Sequence, residues 1–363
     1  MSETFFVTGA TGFIGRRLVE RLRESGKRVK CLTRPTSRRG DLTRLGVEFI
    51  EGDLSDGEAL RRGISGCDGV FHCAGLTREM RSGDFLKVNG DGTRVVAELC
   101  AETSCPRLVA LSSLAGAGTG VKLRANEEAE ESDGALVPYR RREETDLPRP
   151  VSPYGRSKYL AEKNALEFAS ETSIVVLRPP YVFGDGDALS LELFRMVKKY
   201  GTITIPGYID KYYSFVYVDD LTNAMTAAIT RGERLSRDSL TPLETSDGGA
   251  RCSGLGIYFP SNATLLRFAE FGTLIARAFG RRKVFPIRIP PVGALCAGVF
   301  GEISKRASRK YSAFDLNKAK EALRGPWVCS NRKTTRDLGV SLDSDLGEQL
   351  ARTAKWYVDN DLL

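Results

Sequence analysis

A single histidine, His72, stands in 363 residues. Its isolation excludes a multi-histidine zinc site, an H-E-x-x-H metalloprotease and a Ser-His-Asp triad built on a spare imidazole, so any catalysis must use other groups. The eight cysteines, Cys31, Cys67, Cys73, Cys100, Cys105, Cys252, Cys296 and Cys329, contain no C-x-x-C pair. Their spacing spells neither a metal cluster nor a disulfide framework, and they read as reduced, mostly buried apolar residues. A basic n-region and apolar h-region have no room ahead of the strand-like Phe5-Phe6-Val7, so a cytoplasmic protein is expected. Charge is not strongly one-sided: 54 Lys+Arg against 46 Asp+Glu give +8, which suits acidic ligands or an anionic surface and does not call for nucleic acid.

What the chain does have is alternation. Thr4–Val7, Val29–Leu32, Val47–Ile50, Val70–Cys73, Leu108–Ser112 and Ile174–Leu177 are short apolar runs, read as buried strands. Between them lie amphipathic stretches at Ile14–Ser25, Gly57–Ile64, Gly92–Glu102 and Tyr154–Glu171, read as helices. Right-handed crossovers through such units build an α/β fold, a Rossmann-type doubly wound parallel sheet. Residues 1–183 are expected to form it, with 213–231 returning to it. Residues 184–212 and 232–363 then form a smaller, interleaved mixed α/β substrate lobe, with helical patterns at Leu189–Lys199, Thr264–Phe279, Val292–Ser304 and Leu346–Val358. Residues 116–151 and 232–256 read as long loops, either a lid, a partner surface or an insertion.

Between the first strand and first helix stands T-G-A-T-G-F-I-G, Thr8 to Gly15. Gly9 permits a tight turn, Gly12 lets backbone approach a pyrophosphate and Gly15 lets the helix pack close; Thr11, Phe13 and Ile14 complete the candidate loop. The acid that bonds the ribose 2′-hydroxyl in NAD sites is missing after the second strand, where Thr33-Arg34-Pro35-Thr36-Ser37-Arg38-Arg39 stands instead. Arg34, Ser37 and Arg38 suit a 2′-phosphate, so NADP(H) is favoured, with NAD(H) possible because an Arg here can also stack on adenine.

A second motif, Tyr154-Gly155-Arg156-Ser157-Lys158, opens a helix pattern. Tyr and Lys four apart share a helix face, and an ammonium one turn away favours the phenolate of a group whose free pKa is near ~10. Tyr154 is therefore the candidate general acid/base. With the Thr8–Gly15 loop, Gly52-Asp53-Leu54, His72-Cys73-Ala74-Gly75, Val88-Asn89-Gly90, Ser112-Ser113, Arg178-Pro179-Pro180 before Val182-Phe183-Gly184, and Val218-Asp219-Asp220, the chain resembles the extended short-chain dehydrogenase/reductase superfamily, the NAD-dependent epimerase/dehydratase group, along essentially its whole length.

The resemblance implies that Ser113 orients the substrate oxygen and that Lys158 also bonds the nicotinamide ribose. It places Asp53 and Leu54 at the adenine, Cys73, Ala74 and Gly75 along the cofactor channel, and Arg178 to Val182, with Pro179, beside the nicotinamide. Asn89 is expected to bond the backbone of a neighbouring strand. A homodimer through the Tyr154–Glu171 helix is implied as well. His72 reads as a satisfied core residue, and Asp219 and Asp220 as helix-capping and dipole partners.

Two departures narrow the reaction. Leu114-Ala115 follow Ser113 where nucleotide-sugar dehydratases of the family carry an Asp-Glu pair. Tyr213-Ser214 precede Phe215 where many epimerases carry a diphosphate-clamping Arg, leaving Arg195 or Lys211 as substitutes. The remaining pattern is similar to the hydroxysteroid-dehydrogenase/dihydroflavonol-reductase-like branch, which implies hydride transfer between NADP(H) and an apolar or lipid-like secondary alcohol or ketone. The alternatives are a nucleotide-sugar epimerase or reductase and a non-catalytic cofactor-binding protein; retention of Ser113, Tyr154 and Lys158 opposes the latter. Pro290 to Ile303 is an apolar stretch shorter than the ~20 residues of a membrane span. It is bracketed by Arg281-Arg282-Lys283, Lys305-Arg306 and Arg309-Lys310. It is expected to cap the substrate pocket with solvated basic ends, ahead of peripheral contact with a membrane through 281–310.

Overall fold

The computed structural model describes residues 2–363 apart from 80, 124–129, 133–134, 138, 210, 245–248 and 309–314. The six expected strands form at β1 Thr4–Thr8, β2 Arg28–Thr33, β3 Glu48–Glu51, β4 Gly69–His72, β5 Arg107–Leu111 and β6 Ser173–Leu177, and Ile257–Tyr258 adds β7. All pair in parallel, in the order β7-β6-β5-β4-β1-β2-β3. The alternation along β1 shows why its run is continuously apolar. Phe5 and Val7 enter one core with Leu18, Val19, Leu221 and Met225, whereas Phe6 enters the opposite core with Leu60, Ile64, Val96 and Ala165. Both faces are covered by helices, as parallel sheets require, and each such apolar side chain contributes about 1.5–3 kcal/mol when removed from water. Strand order reverses beside β1, which opens a crevice at the carboxyl ends of the strands.

A second, smaller sheet is built on aromatics. Tyr212–Tyr217 lies between Tyr181–Phe183, to which it is parallel, and Leu265–Arg267, to which it is antiparallel. Beneath this small sheet Phe215 and Phe271 stack with ring centres 4.1 Å apart, beside Phe183, Phe194 and Tyr357.

Several expectations are corrected. Leu265–Arg267 is a strand and not the first turn of a helix, because Leu265 and Leu266 are buried against the small sheet; the helix runs Phe268–Ala278. The strand β7 falls inside the segment assigned to the second lobe, where two residues carry too little periodicity to be read. The Tyr154 helix spans Pro153–Leu166 and gives way to turns before Glu171. The long stretches are not plain loops. Arg142 exchanges backbone hydrogen bonds with Val328 and Ser330, and Leu235 donates to Ile174, packing Leu235 and Leu240 onto the sheet. Within 116–151, positions 124–129, 133–134 and 138 lie outside the described residues.

Glu144 lies at the foot of the first of these segments, 5% exposed, with its Oε1 accepting from Phe259 N at 3.1 Å. Burial pushes its carboxyl up to about 7 against the pull of Lys333 and Arg178. A raised folded-state pKa stabilises fully below the unfolded value near 4.5, and that contribution is lost as pH rises through about 7. Glu144→Gln is therefore expected to be more stable than wild type above pH 7, by up to about 3 kcal/mol, with the gap closing near pH 4.5. Urea unfolding at both pH values measures this; a gap that does not change with pH contradicts it.

Candidate active site

The phosphate loop is held by contacts that forbid side chains. Gly9 has φ +69°, and a Cβ there would meet Ala74 N at 2.6 Å; a Cβ on Gly15 would meet Gly9 O at 2.2 Å. Backbone crowding of this kind leaves only glycine at both positions. Gly12 donates to Gly9 O at 3.0 Å and starts the Phe13–Glu24 helix with no side-chain cap, so the helix's first N–H groups are offered outward.

A cleft of about 580 Å³ follows, lined by Gly9, Thr11, Gly12, Arg34, Ser37, Asp53, Leu54, Cys73, Ala74 and Gly75, and further by Lys87, Val88 and Asp91. Its shape and donors fit a dinucleotide. Phe13, Ile14 and Gly15 form the helix turn behind it. Arg38 is exposed outside its lining, and Arg39 is committed to Glu51 at 2.8 Å and to the Phe49 ring at 5.0 Å. Asp53 accepts from the Ser55 hydroxyl and backbone, and with nearby Arg34 these hold its carboxyl below the usual range.

The cleft ends at Lys158, whose Nζ would sit 3.2 Å from a Cβ on Gly75. Ser152 caps the Pro153–Leu166 helix by accepting from Gly155 N at 3.0 Å, and Pro153 pre-sets its first turn. This aims Tyr154 and Lys158 along one face. Lys158 Nζ donates to Leu111 O at the end of β5, at 2.9 Å, and burial pushes its pKa down to about 8 against Glu162 and Cys73. Ser113 caps the short Leu114–Ala117 turn, accepting from Ala115 N at 3.2 Å, and its hydroxyl neighbours the Tyr154 phenol.

The expected lowering of that phenol by the Lys158 ammonium does not occur. Burial pushes Tyr154 up to about 12, opposed by the Ser113 hydroxyl and reinforced by Glu321. The physical reason is that desolvation of a phenolate dominates while the ammonium is turned to the Leu111 carbonyl.

Three further expectations are revised. Asn89 bonds the backbone of Leu76 in both directions, at 2.7 and 3.0 Å, and donates to Ser157 Oγ at 2.9 Å; its partner follows β4 in a loop and is not in a strand. Arg178 does not run beside the cleft. It is wholly buried, with Nε and Nη2 donating to the Glu162 carboxylate at 2.9 and 2.6 Å, while Pro179 gives its carbonyl to Leu114 N and Val182 packs against the core beneath β1. Asp219 and Asp220 lie in the first turn of the Val218–Arg231 helix, where they are dipole partners as expected, but neither caps it: Asp219 pairs with Arg17 and Arg352, and Asp220 accepts from Gln349. His72 is bonded on both sides, to Thr8 at 2.7 Å and Thr93 at 3.1 Å, and burial lowers its pKa to about 3, so it stays neutral.

Sequence reasoning missed the wall above Tyr154. Lys318, on the Leu316–Leu323 helix, sits 5.3 Å over the Tyr154 ring, and Phe85 packs against the same ring at 5.6 Å. A second cavity of about 580 Å³ adjoins them, lined by Phe85, Leu86, Pro153 and Leu316 together with Arg81, Arg156 and Glu302. Asp315 accepting from Lys318 N at 2.9 Å is an N-cap signal that would have marked this helix. Arg195 and Lys211, the candidate diphosphate clamps, are tied elsewhere: Arg195 to Leu362 O and Glu192, Lys211 to Ala322 O at 2.8 Å.

Known proteins are similar to this chain in sequence and in fold. The sequence model of the NAD dependent epimerase/dehydratase family matches residues 5–238. The ceramide reductase of Caulobacter vibrioides is 26% identical over 358 residues, 97% of this chain and 93% of that one. The 2-alkyl-3-oxoalkanoate reductase of Stenotrophomonas maltophilia is 28% identical over 353 residues, 95% and 97% of the two chains. Among solved structures, MoeE5 in complex with UDP-glucuronic acid and NAD matches with a TM-score of 0.68 at 23% identity, covering 98% of this chain and 99% of that one, a likeness of fold.

Proposed function

The chain belongs to the NAD dependent epimerase/dehydratase family, and on that premise we propose that it is a reductase converting an apolar, lipid-like ketone to a secondary alcohol with NADP(H). The observation that carries this reading is that both substitute clamps for a nucleoside diphosphate are engaged elsewhere, Arg195 with the Leu362 carbonyl and the Glu192 carboxylate and Lys211 with the Ala322 carbonyl. The buried apolar pair Leu114-Ala115 after Ser113 also supplies no acid for elimination. The two relatives above are named for ceramide and for 2-alkyl-3-oxoalkanoates, both with long apolar portions.

In the proposed reaction the Ser113 and Tyr154 hydroxyls bond the ketone oxygen. The Gly9–Gly15 loop and the cleft wall would hold a nicotinamide cofactor, whose chemistry when bound would be the supply of hydride to the carbonyl carbon. Tyr154 gives its phenolic proton to the oxygen as negative charge develops there. A phenol pushed up to about 12 is fully protonated at neutral pH, which suits reduction; the reverse oxidation needs the phenolate and is disfavoured there. In this reading Lys158, which donates to Leu111 O, bonds the ribose and carries positive charge toward the site below pH 8.

Arg34 and Ser37 both line the cleft, which supports giving them the 2′-phosphate in this reading. Arg34→Ala is expected to weaken NADPH binding tenfold to a hundredfold, the worth of a charge-assisted bond of about 1.5–3 kcal/mol, and to leave NADH nearly unchanged. Fluorescence quenching by each cofactor reads this; equal losses for both refute a phosphate role.

A second reading survives because Arg81 and Arg156 line the cavity beside Tyr154 and offer cations to a diphosphate. Thermal shift under saturating NADPH decides between them, since a ligand of the native state raises its stability. The proposal expects no response to UDP or dTDP and turnover of long-chain ketones; a clear rise with either nucleotide assigns the protein to nucleotide-linked sugars.

A further inference from the structure

The Pro291–Ser308 helix is amphipathic the wrong way round for a helix inside a folded domain. Val292, Cys296, Val299, Phe300 and Ile303 recur at the spacing of one helix face, yet Val292 is 72%, Phe300 73% and Ile303 59% exposed. The inward face is made of small residues: Ala294 is buried, and a Cβ on Gly298 would lie 2.9 Å from the Ala319 Cβ. The small face packs against the Leu316–Leu323 helix, and the large apolar face is left in water. The preceding loop and strand extend it. Tyr208 and Ile209 are 69% and 70% exposed, and Gly207 N donates to Ile289 O at 2.8 Å, which holds that loop at the start of the helix; Phe285 is 69% exposed. An apolar surface of this extent marks an interaction site.

Charge says what covers it. Arg281, Arg282 and Lys283 are exposed immediately before Phe285, and Arg288 within its strand. Arg281 reaches Lys198 O at 3.1 Å, so exposed Lys198 and Lys199 join the same edge. Apolar side chains rimmed by six cations match an anionic lipid interface, where apolar groups enter below headgroups that attract the rim. The described residues contain no helix long and apolar enough to cross a membrane, so contact is at the surface. Arg309 and Lys310, the expected C-terminal basic flank, lie outside the described residues.

We propose that the outer face of this helix docks the protein on an anionic phospholipid membrane surface. Glu302, on the same helix, lines the cavity beside Tyr154, so docking brings that cavity next to the lipid. The inference rests on the surface and not on the reaction proposed above, although a lipid-like ketone would enter from there.

Flotation with vesicles of phosphatidylcholine containing about one third phosphatidylglycerol tests it, against phosphatidylcholine alone. Wild type is expected to float with the anionic vesicles at low salt and to be released at high salt, because screening shortens the reach of the basic rim. Phe300→Asp combined with Ile303→Asp, both exposed and outside the cavity lining, is expected to weaken partition at least tenfold, and Arg281→Glu with Arg282→Glu comparably. NADPH turnover of a water-soluble ketone by the same variants should be unchanged, which separates failure of docking from failure of the reaction. No flotation of wild type, or equal flotation of Phe300→Asp/Ile303→Asp, overturns the proposal. So does light scattering that shows a dimer which that variant dissolves, since the face then belongs to a second copy.

Discussion

Tyr154→Phe is expected to lower kcat for ketone reduction about a thousandfold, within the 10²–10⁴ range of a lost general acid, while NADPH affinity stays within about twofold. The ring keeps its packing against Phe85 at 5.6 Å and under Lys318 at 5.3 Å, so the fold should be retained. Ser113 keeps its bond from Ala115 N and remains able to orient the ketone, but no proton is delivered to its oxygen. Wild-type reduction should also fall as pH rises past about 8, because Lys158, lowered to about 8 by burial, then loses its charge, whereas Tyr154 stays protonated up to about 12. Steady-state rates from pH 6 to 10 measure both effects. Full turnover by Tyr154→Phe would remove the Ser113–Tyr154–Lys158 assignment altogether.

The largest loss of stability is expected from Glu162→Ala, about 3–5 kcal/mol, the cost of leaving one member of a buried ion pair unpaired. Arg178 is fully buried, its Nε and Nη2 are held by Glu162, and its Nη1 already lacks a hydrogen-bond partner. Glu162 also accepts from Ser112 Oγ, so its removal strands a hydroxyl and a guanidinium together. Tyr154, Lys158 and Glu162 succeed one another every four residues, and the buried pair thus fastens the helix bearing Tyr154 to the end of β6. Arg178→Met with Glu162→Leu is expected to recover most of the loss, since apolar replacements need no desolvated charge. Urea midpoints of the single and double variants decide this. A single variant within about 1 kcal/mol of wild type would show the pair to be far weaker than its burial implies.

The strands and helices around the phosphate loop were legible because their signals are local. A strand buried on both faces is a short apolar run, and a glycine forced to φ +69° shows as a glycine. The convergence of the loop, β2 end and β4 end on one cleft was legible for the same reason, since these ends meet wherever a parallel sheet reverses its strand order. Lys318 over Tyr154 was not legible, because 164 residues separate the two and nothing short of packing the second lobe on the first brings them together. The ion pair of Arg178 was not legible either, because an Arg-Pro-Pro motif does not reveal that its guanidinium meets Glu162 on the preceding helix.

The sequence by itself determined the α/β class, the six long parallel strands, the glycine cradle and the placing of Tyr154 and Lys158 on one helix face, all functions of spacing within about one element. Only the tertiary structure decided protonation and exposure. It turned the Lys158 ammonium to Leu111, raised the Tyr154 phenol by burial and tied Arg195 and Lys211 to carbonyls. It also placed small Ala294 and Gly298 inward, leaving Phe300 and Ile303 in water on a helix that the sequence marked only as apolar. Desolvation and facing depend on which distant residues surround a group, and a linear pattern does not carry that information.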